Sequence, residues 1–236
     1  MIDLHTHILP GVDDGAKTVE DSLSMLRLQY EQGVDTVVLT PHFYPDREDC
    51  ASFLKRRKAA WEHLIQTICS LPQHDQLQLP KLVLGAEVAY VPGLQFSEHL
   101  QTLCIGNTKN MLLELPFYRW DTPMLHQLYD FLGRAGVTPV LAHIDRYFDI
   151  QKKKIMEDVL DLGLPVQVGT ETVFQTFSPA LRLLRQGRGH LLASDCHDMN
   201  QRKPNLQKAM LTVQKRLGTE RYEELIETAE QLTAGG

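Results

Sequence analysis

The feature that most constrains the fold is a regular alternation of short aliphatic runs with longer segments of helical periodicity along the whole chain. Seven such runs are predicted strands, at residues 2–4, 34–40, 82–86, 111–115, 138–142, 165–168 and 190–193. Helices are predicted after residue 18 and near residues 52–70, 122–135, 152–162, 177–187 and 204–232. Apolar strands that alternate with helices indicate a parallel sheet covered on its outside by those helices.

The number of strands favours a closed or nearly closed barrel. Seven parallel strands in 236 residues suit that architecture, and an open doubly wound sheet is the alternative. The chain shows no low-complexity linker and no shift in composition, so residues 1–236 are predicted to form a single domain. The first helix has clear boundaries, because Thr18 can cap it with Asp21 in a capping box and Gly33 can end it.

Charge and cysteine content narrow the classes of function. The 24 basic and 30 acidic residues give a formal net charge of −6, which disfavours general binding of nucleic acid or of an anionic membrane surface. No apolar stretch approaches the ~20 residues of a membrane span. Met1 is followed at once by a predicted strand, without a basic segment and an apolar segment before it, so no signal peptide is expected. The four cysteines form no C-x-x-C pair, so we expect reduced thiols and a cytoplasmic location.

Metal-ligand side chains follow six of the seven predicted strands. In strand order they are His5 with His7, His42, Glu87, Glu114, His143, and Asp195 with His197. Only the sixth strand, which ends near Gly169 and Thr170, supplies none. In a parallel barrel all these positions lie at the carboxyl-terminal face, where active sites of such folds are built. Each residue alone could be an ordinary loop residue, but the set as a whole predicts a shared metal site.

Two of the strands are followed by a pair of ligand-type residues separated by one residue. Residues i and i+2 of an extended backbone point to the same face. His5 with His7, and Asp195 with His197, can therefore each direct two ligands at one point. A barrel brings its first and last strands together, so the two pairs are expected to face each other. The other five of the ten histidines lie mostly in predicted helices and loops, and we expect no role for them.

Four motifs carry a resemblance to a known family. They are M-I-D-L-H-T-H-I-L-P-G-V-D-D-G at the start, T-P-H around His42, H-I-D-R-Y at 143–147 and A-S-D-C-H at 193–197. Together they resemble the PHP (polymerase and histidinol phosphatase) superfamily. More narrowly, they resemble the bacterial manganese-dependent tyrosine-protein phosphatases of capsular and exopolysaccharide gene clusters. One departure is Asp145, which stands where the family motif more often has Glu.

The resemblance implies a distorted (β/α)7 barrel, the PHP fold, with TIM-barrel-like parallel strands and outer helices. It also implies a cluster of three metal ions. Carried over by matching motif, the ligands are His5, His7, Asp14, His42, Glu87, Glu114, His143, Asp195 and His197. Asp14 comes from the resemblance alone, since Asp13 and Asp14 could equally be turn residues that precede the first helix. Mn²⁺ is the expected metal, with Fe²⁺ or Zn²⁺ as alternatives that suit the same ligand types.

The resemblance also assigns Arg146 and Arg202 as the residues that contact phosphate. A guanidinium fork matches the geometry of phosphate oxygens, although surface ion pairs are the alternative reading of both residues. The implied function is a protein-tyrosine phosphatase, a phosphoric monoester hydrolase that uses metal-activated water. The implied substrate is a phosphotyrosine protein, the tyrosine kinase that regulates capsule or exopolysaccharide synthesis. Neither nucleic acid nor stable membrane insertion is expected.

Several alternatives remain at this point. Histidinol phosphate phosphatase and other PHP phosphoesterases would use the same metal site, and a metal-stabilised scaffold would use it without catalysis. A cysteine phosphatase is disfavoured, because the two C-x5-R matches, at Cys50 and Cys196, lack the small residues of a phosphate-binding loop. Aromatic residues beside the site could hold the substrate ring or could be ordinary packing. These are Tyr90, Phe117, Tyr118 and Tyr147.

Overall fold

The computed structural model describes residues 1–134 and 136–234. Its strands are β1 (Ile2–Thr6), β2 (Thr36–Leu39), β3 (His42–Phe43), β4 (Lys81–Leu84), β5 (Glu87–Ala89), β6 (Asn110–Glu114), β7 (Thr138–Leu141), β8 (Gln167–Gly169) and β9 (Leu191–Ala193). Its helices are α1 (Val19–Glu31), α2 (Cys50–Ser70), α3 (Gln73–Gln76), α4 (Leu100–Leu103), α5 (Thr122–Arg134), α6 (Lys153–Leu160), α7 (Thr170–Val173), α8 (Pro179–Arg185), α9 (Leu206–Leu217) and α10 (Thr219–Thr233). Two 3-10 helices lie at Leu94–Phe96 and Ile144–Tyr147.

All strand pairs are parallel and follow the order of the chain. The ladders form three sheets, with strand orders β1-β2-β4, β3-β5-β6-β7 and β8-β9. Single parallel bridges connect these sheets, from Leu141 to Val166 and from Thr6 to Cys196. The second bridge places the first strand beside the segment that follows the last strand. Because strand order follows chain order around the molecule, the arrangement is that of a distorted barrel and not of a doubly wound sheet.

The seven predicted strands are all present, within a few residues of their predicted ends. The predicted second strand continues past Leu39 as a separate short strand, β3, and the predicted third strand continues as β5. Pro41, which has no amide hydrogen, separates β2 from β3. As a result, His42 and Glu87 lie inside short strands rather than in the loops where they were predicted.

Most predicted helices are also present. Thr18 and Asp21 form the predicted capping box of α1, and the chain leaves that helix through Gly33 at a positive φ of 75°. The predicted long helix of 204–232 is instead two helices, α9 and α10, because Gly218 between them has a φ of 98°. The predicted loop of 71–80 contains the single-turn helix α3. The predicted helix of 122–135 is α5, and its predicted end at residue 135 lies outside the described residues.

The strands bury apolar side chains on both faces. A large cluster fills the space between the strands and the outer helices. A smaller cluster lies inside the barrel, where residues of five strands meet: Leu4, Val38, Leu112, Val140, Leu191 and Ala193. Ile105 and Leu232 belong to the same cluster, and Ile2 and Val83 pack against it. This packed inner layer leaves the opposite end of the strands, at their carboxyl termini, for polar side chains. No helix in residues 1–134 and 136–234 combines the length and apolar character that a membrane crossing requires.

Candidate metal centre

The carboxyl ends of the strands bring all nine predicted ligands into one cluster. Three groups within it have ligand atoms that lie within 4.8 Å of one another. The groups are His7, Asp14, His42 and His197; His5, His7 and Glu87; and His42, Glu87 and Glu114. Several residues belong to two groups, so the groups adjoin one another. Oxygen and imidazole donors of this kind suit Mn²⁺, Fe²⁺ and Zn²⁺.

The centre of the cluster is formed by the first and last strands, as the two spaced pairs predict. The Nε2 atoms of His5 and His7 lie 3.1 Å apart. Asp195 Oδ1 is 3.4 Å from Nε2 of His5 and 3.3 Å from Nε2 of His7. Glu87 Oε2 approaches the same two nitrogens at 3.2 and 3.3 Å. Two carboxylates and two imidazoles therefore point at one another in a fully buried space.

The remaining predicted ligands extend this centre in two directions. His143 Nε2 lies 2.9 Å from Glu87 Oε1 and 3.6 Å from Glu114 Oε1. On the other side, Asp14 Oδ1 lies 3.6 Å from His42 Nε2 and 3.4 Å from His197 Nε2. Asp14 is largely exposed, with 64% of its side-chain surface accessible, so this side of the cluster opens to solvent.

Asp13 holds His7 in place, a role that the sequence analysis missed. Its Oδ2 accepts hydrogen bonds from Nδ1 of His7 at 2.7 Å and from the backbone amide of His42 at 2.9 Å. The same carboxylate accepts from the amide of Gly15 at 2.9 Å. A carboxylate on the second imidazole nitrogen fixes which nitrogen faces a metal and how the ring is oriented. The adjacent acidic pair in V-D-D-G is the signal that could have indicated this division of roles.

Gly15 is required by close packing against His7. A Cβ atom at position 15 would lie 1.9 Å from the carbonyl oxygen of His7 and 2.5 Å from its Cβ. The amide of the next residue, Ala16, donates to that same carbonyl at 2.9 Å. The D-D-G turn therefore folds directly back onto the strand end that carries His7.

The sixth strand, from which no ligand was predicted, contributes a positioning residue. Gln167 on β8 is fully buried, and its Oε1 lies 3.2 Å from Nδ1 of His5. The same oxygen accepts from the backbone amide of His143 at 2.7 Å. One amide side chain thus orients two predicted ligands. A glutamine inside an apolar strand is the only sequence signal of this role.

Two predicted ligands have a strained backbone. His143 has a φ of 32° and Asp195 a φ of 52°, and no other non-glycine residue in the described chain has a positive φ. Such conformations are uncommon for residues with a Cβ and cluster at functional sites. Both follow the last residues of a strand, where the backbone turns sharply and the side chain is directed into the cluster.

The carboxylates of the cluster differ in the direction in which their pKa values are shifted. Burial alone would raise the pKa of Glu87 and of Asp195, but the imidazoles around them, His5 foremost, outweigh it and hold both pKa values well below their usual range. Burial and the charge of Glu87 instead raise the pKa of Glu114. Burial and the neighbouring His7 lower the pKa of His197 to about 4. His197 is therefore a neutral imidazole near neutral pH, which is the form that binds metals.

Both predicted arginines reach the cluster. Nη2 of Arg146 lies 2.8 Å from Asp195 Oδ2 and 3.3 Å from Glu171 Oε2. Nη2 of Arg202 donates to the same Oδ2 of Asp195 at 2.5 Å. The two guanidinium groups therefore converge from different segments on one oxygen. They are partly exposed, so an anion that entered from solvent would meet both of them.

An aromatic cavity of about 470 Å³ opens beside Glu114. Its walls include Tyr44, Tyr90, Phe117 and Tyr118. Phe117 also stacks against the ring of His143, with centroids 5.9 Å apart. Tyr147 is not part of this cavity. It is fully buried and donates to the carbonyl of Leu115, so packing is the correct reading of that residue.

The two C-x5-R cysteines do not have the character of nucleophiles. Cys196 is fully buried, and burial together with the charge of Asp3 raises the pKa of its thiol well above the usual value. Burial likewise raises the pKa of Cys50, which begins α2. A reactive cysteine needs a lowered pKa and access to solvent, and neither thiol meets both conditions.

The comparisons with known proteins agree with this geometry. A family model described as capsular polysaccharide synthesis, CpsB/CapC, matches residues 1–232. Tyrosine-protein phosphatase YwqE of Bacillus subtilis (strain 168) is 30% identical, over 98% of this chain and 91% of its own. Tyrosine-protein phosphatase CpsB of Streptococcus agalactiae serotype III (strain NEM316) is 29% identical over 98% of both chains.

The fold is similar to that of solved relatives. A crystal structure from work on YwqE of Bacillus subtilis and CpsB of Streptococcus pneumoniae, described as unique metal-dependent tyrosine phosphatases, superposes with a TM-score of 0.79. It is 26% identical in sequence and covers 100% of this chain and 95% of its own. The predicted resemblance to phosphatases of capsular gene clusters is thus confirmed, and the chain belongs to the CpsB/CapC family of capsular polysaccharide synthesis proteins.

Proposed function

We propose that this chain is a metal-dependent protein-tyrosine phosphatase, built as a single domain over residues 1–236, with its active site at the carboxyl ends of the strands. The observation that carries the proposal is the convergence of nine ligand-type side chains and two arginines on one cluster. The named relatives are tyrosine-protein phosphatases, which supports the same reaction here.

Hydrogen bonds within the protein do not satisfy all buried polar atoms of the cluster, and bound metal ions would. Four of its buried polar atoms lack any hydrogen-bond partner: Nδ1 of His42, Oε2 of Glu87, Nδ1 of His143 and Nε2 of His197. His42 Nδ1 and Glu87 Oε2 lie 2.9 Å apart, but neither makes a hydrogen bond of acceptable geometry. Unpaired buried polar atoms are costly and therefore rare. Metal coordination would satisfy them.

We assign all nine residues as ligands of a cluster of three ions. They are His5, His7, Asp14, His42, Glu87, Glu114, His143, Asp195 and His197. Mn²⁺ is the metal we propose, and Fe²⁺ or Zn²⁺ would suit the same donors. Divalent ions held there would lower the pKa of a coordinated water and offset the negative charge that develops on the phosphoryl group. Asp13 and Gln167 would keep the imidazoles of His7 and His5 in the orientation that coordination needs.

Arg146 and Arg202 are assigned as the residues that grip the phosphate. Both contact Asp195 Oδ2, so each has its guanidinium directed at the cluster before a substrate arrives. A metal ion held by Asp195 would compete with the guanidinium groups for its carboxylate, which would leave both arginines available to bind the phosphate oxygens. Their planar forks fix the orientation of the phosphoryl group and attract the dianion into an otherwise acidic protein.

The aromatic cavity favours phosphotyrosine over histidinol phosphate. Tyr44, Phe117 and Tyr118 provide apolar ring faces beside Glu114, which suit a phenyl ring. By resemblance, the phosphotyrosine belongs to a bacterial tyrosine kinase that regulates capsule or exopolysaccharide synthesis. All four cysteines are free thiols, which supports a cytoplasmic location.

The test is a comparison of substrates with the purified protein loaded with Mn²⁺. We expect hydrolysis of phosphotyrosine peptides, much slower hydrolysis of phosphoserine peptides, and none of histidinol phosphate. Preferred hydrolysis of histidinol phosphate would replace the proposal with the alternative PHP activity. Bound metal without hydrolysis of any phosphate ester would indicate a scaffold. Metal content per chain, measured on the same sample, distinguishes an inactive protein from an unloaded one.

A further inference from the structure

A second cavity, with arginines in its walls, lies along helix α8, outside the metal cluster. It has a volume of about 550 Å³. We call it the α8 groove and define it by Phe148, Asp149, Phe177, Arg182, Arg185 and Arg216. A neighbouring cavity of about 230 Å³ shares Arg185 and Arg216 and extends the groove towards the end of α9. The α8 groove is too large for a single inorganic ion.

The α8 groove concentrates positive charge in a protein whose net charge is −6. Its three arginines are exposed, and within residues 1–134 and 136–234 no carboxylate lies within 4.0 Å of any of them. Arg188 nearby shows the contrast, because it is paired with both Glu157 and Asp161. The only acid in the groove wall is Asp149, so the groove carries a surplus of positive charge.

The arginines are also arranged to act together. Arg182 and Arg185 are three residues apart on α8, so both project from one face of the helix. Arg216 approaches from the last turn of α9. Arg182 is held in place by Phe148, whose ring centroid lies 4.2 Å from the guanidinium carbon. Phe177, 93% exposed, adds an apolar surface to the same groove. A guanidinium fork matches the geometry of a carboxylate, and an exposed aromatic ring can contact the apolar parts of a peptide that carries it.

Part of the α8 groove is lined by segments that adjoin the predicted active site along the chain. Phe148 and Asp149 directly follow the 3-10 helix Ile144–Tyr147, which carries Arg146. Phe177 follows helix α7, which carries Glu171, and Glu171 contacts Arg146 at 3.3 Å. One of these segments therefore carries Arg146, and the other carries its partner Glu171. A peptide whose phosphotyrosine occupied the metal cluster could continue into the groove.

We propose that the α8 groove binds an acidic segment of the phosphotyrosine protein, next to the tyrosine that is dephosphorylated. This inference rests on the proposed function, because it assigns a docking site to the substrate of that reaction. Glutamate or aspartate side chains would pair with Arg182, Arg185 and Arg216 and would select acidic phosphotyrosine segments over neutral ones.

The kinetic test uses matched peptides that carry phosphotyrosine beside a run of glutamates or a run of glutamines. The wild-type protein should have a lower KM for the glutamate peptide, by roughly tenfold, as expected for two or three exposed charge pairs. The variant Arg185→Glu/Arg216→Glu should lose this preference and keep its kcat and its activity on p-nitrophenyl phosphate. The control Arg27→Glu/Lys55→Glu makes the same change in net charge at exposed positions of α1 and α2 and should keep the preference.

A binding measurement separates this proposal from the proposed function. The fluorescence anisotropy of a labelled, unphosphorylated glutamate peptide reports on the groove without turnover. Binding that is lost in Arg185→Glu/Arg216→Glu but retained in the control supports the groove even if no phosphate ester is hydrolysed. The proposal would be overturned by equal KM values for the two peptides, or by an equal loss of the preference in the control variant. It would also be overturned if ADP, but not polyglutamate, displaced the labelled peptide, a result that would indicate a nucleotide site.

Discussion

The replacement of Gly15 by alanine gives a sharp test of how the D-D-G turn supports the metal cluster. The new Cβ would lie 1.9 Å from the carbonyl oxygen of His7, whereas real Cβ contacts are essentially never shorter than 3.0 Å. The turn and the strand end must therefore separate by about 1.1 Å at least. His7 cannot move alone, because Asp13 binds its ring and Ala16 binds its carbonyl.

The expected energies follow from this displacement. Overpacking of this kind costs about 1–3 kcal/mol in the free energy of unfolding, which a protein of this size can tolerate. A shift of about 1 Å in His7, a predicted ligand that belongs to two of the candidate metal-binding groups, should lower kcat/KM roughly 100-fold. Gly15→Ala should therefore be folded, bind less than the wild-type number of metal ions and have little phosphatase activity.

The assay combines urea denaturation, metal content after dialysis and hydrolysis of a phosphotyrosine peptide. Gly163→Ala is the control, because position 163 has a φ of 73° and no atom within 4 Å of the added Cβ. It should lose about 1 kcal/mol of stability from backbone strain and keep both metal and activity. Wild-type metal content and activity in Gly15→Ala would refute the packing argument, whatever the stability of the variant.

Three further predictions test other parts of the molecule. Arg202→Gln should lower kcat/KM about 100-fold without unfolding the chain, as expected for removal of a donor that stabilises negative charge. The adjacent change Lys203→Gln should leave kcat/KM nearly unchanged, and steady-state kinetics of both variants test this. Cys196→Ser should keep most activity, whereas a chelator should abolish it until Mn²⁺ is restored, and the opposite pair of results would indicate a cysteine phosphatase. His190 should make stability depend on pH, because burial and Arg221 lower the pKa of its imidazole and Nδ1 accepts a hydrogen bond from Val166 at 2.9 Å. The unfolded chain binds a proton that the folded chain excludes, so the free energy of unfolding should fall as pH decreases below about 6.5, and this slope should be smaller in His190→Asn.

The sequence predicted the strands because their aliphatic runs are short, frequent and bounded by polar residues. It predicted the cluster because ligand types recur at strand ends, so that the parallel order of the strands brings His5 and His197 together. The barrel interior, formed by residues such as Leu4 and Val140, follows from the same alternation.

Some parts could not be predicted, because they depend on contacts between distant segments. Gln167 is an unremarkable strand residue until β8 lies beside the backbone of His143. The split of the last helix at Gly218 depends on a local φ that periodicity does not reveal. The α8 groove requires Arg216 to meet Arg185 from another helix, and spacing along the chain says nothing about that meeting.

The bridge between Thr6 and Cys196 has a consequence for biosynthesis. The first strand leaves the ribosome early but obtains its last neighbour only when almost the entire polypeptide has been made. Until then His5 and His7 lack Asp195, one of the two acids that face them. A ribosome-bound fragment that stops short of that segment cannot hold the full complement of ions, so enzymatic competence should arise abruptly near the end of translation rather than in increments.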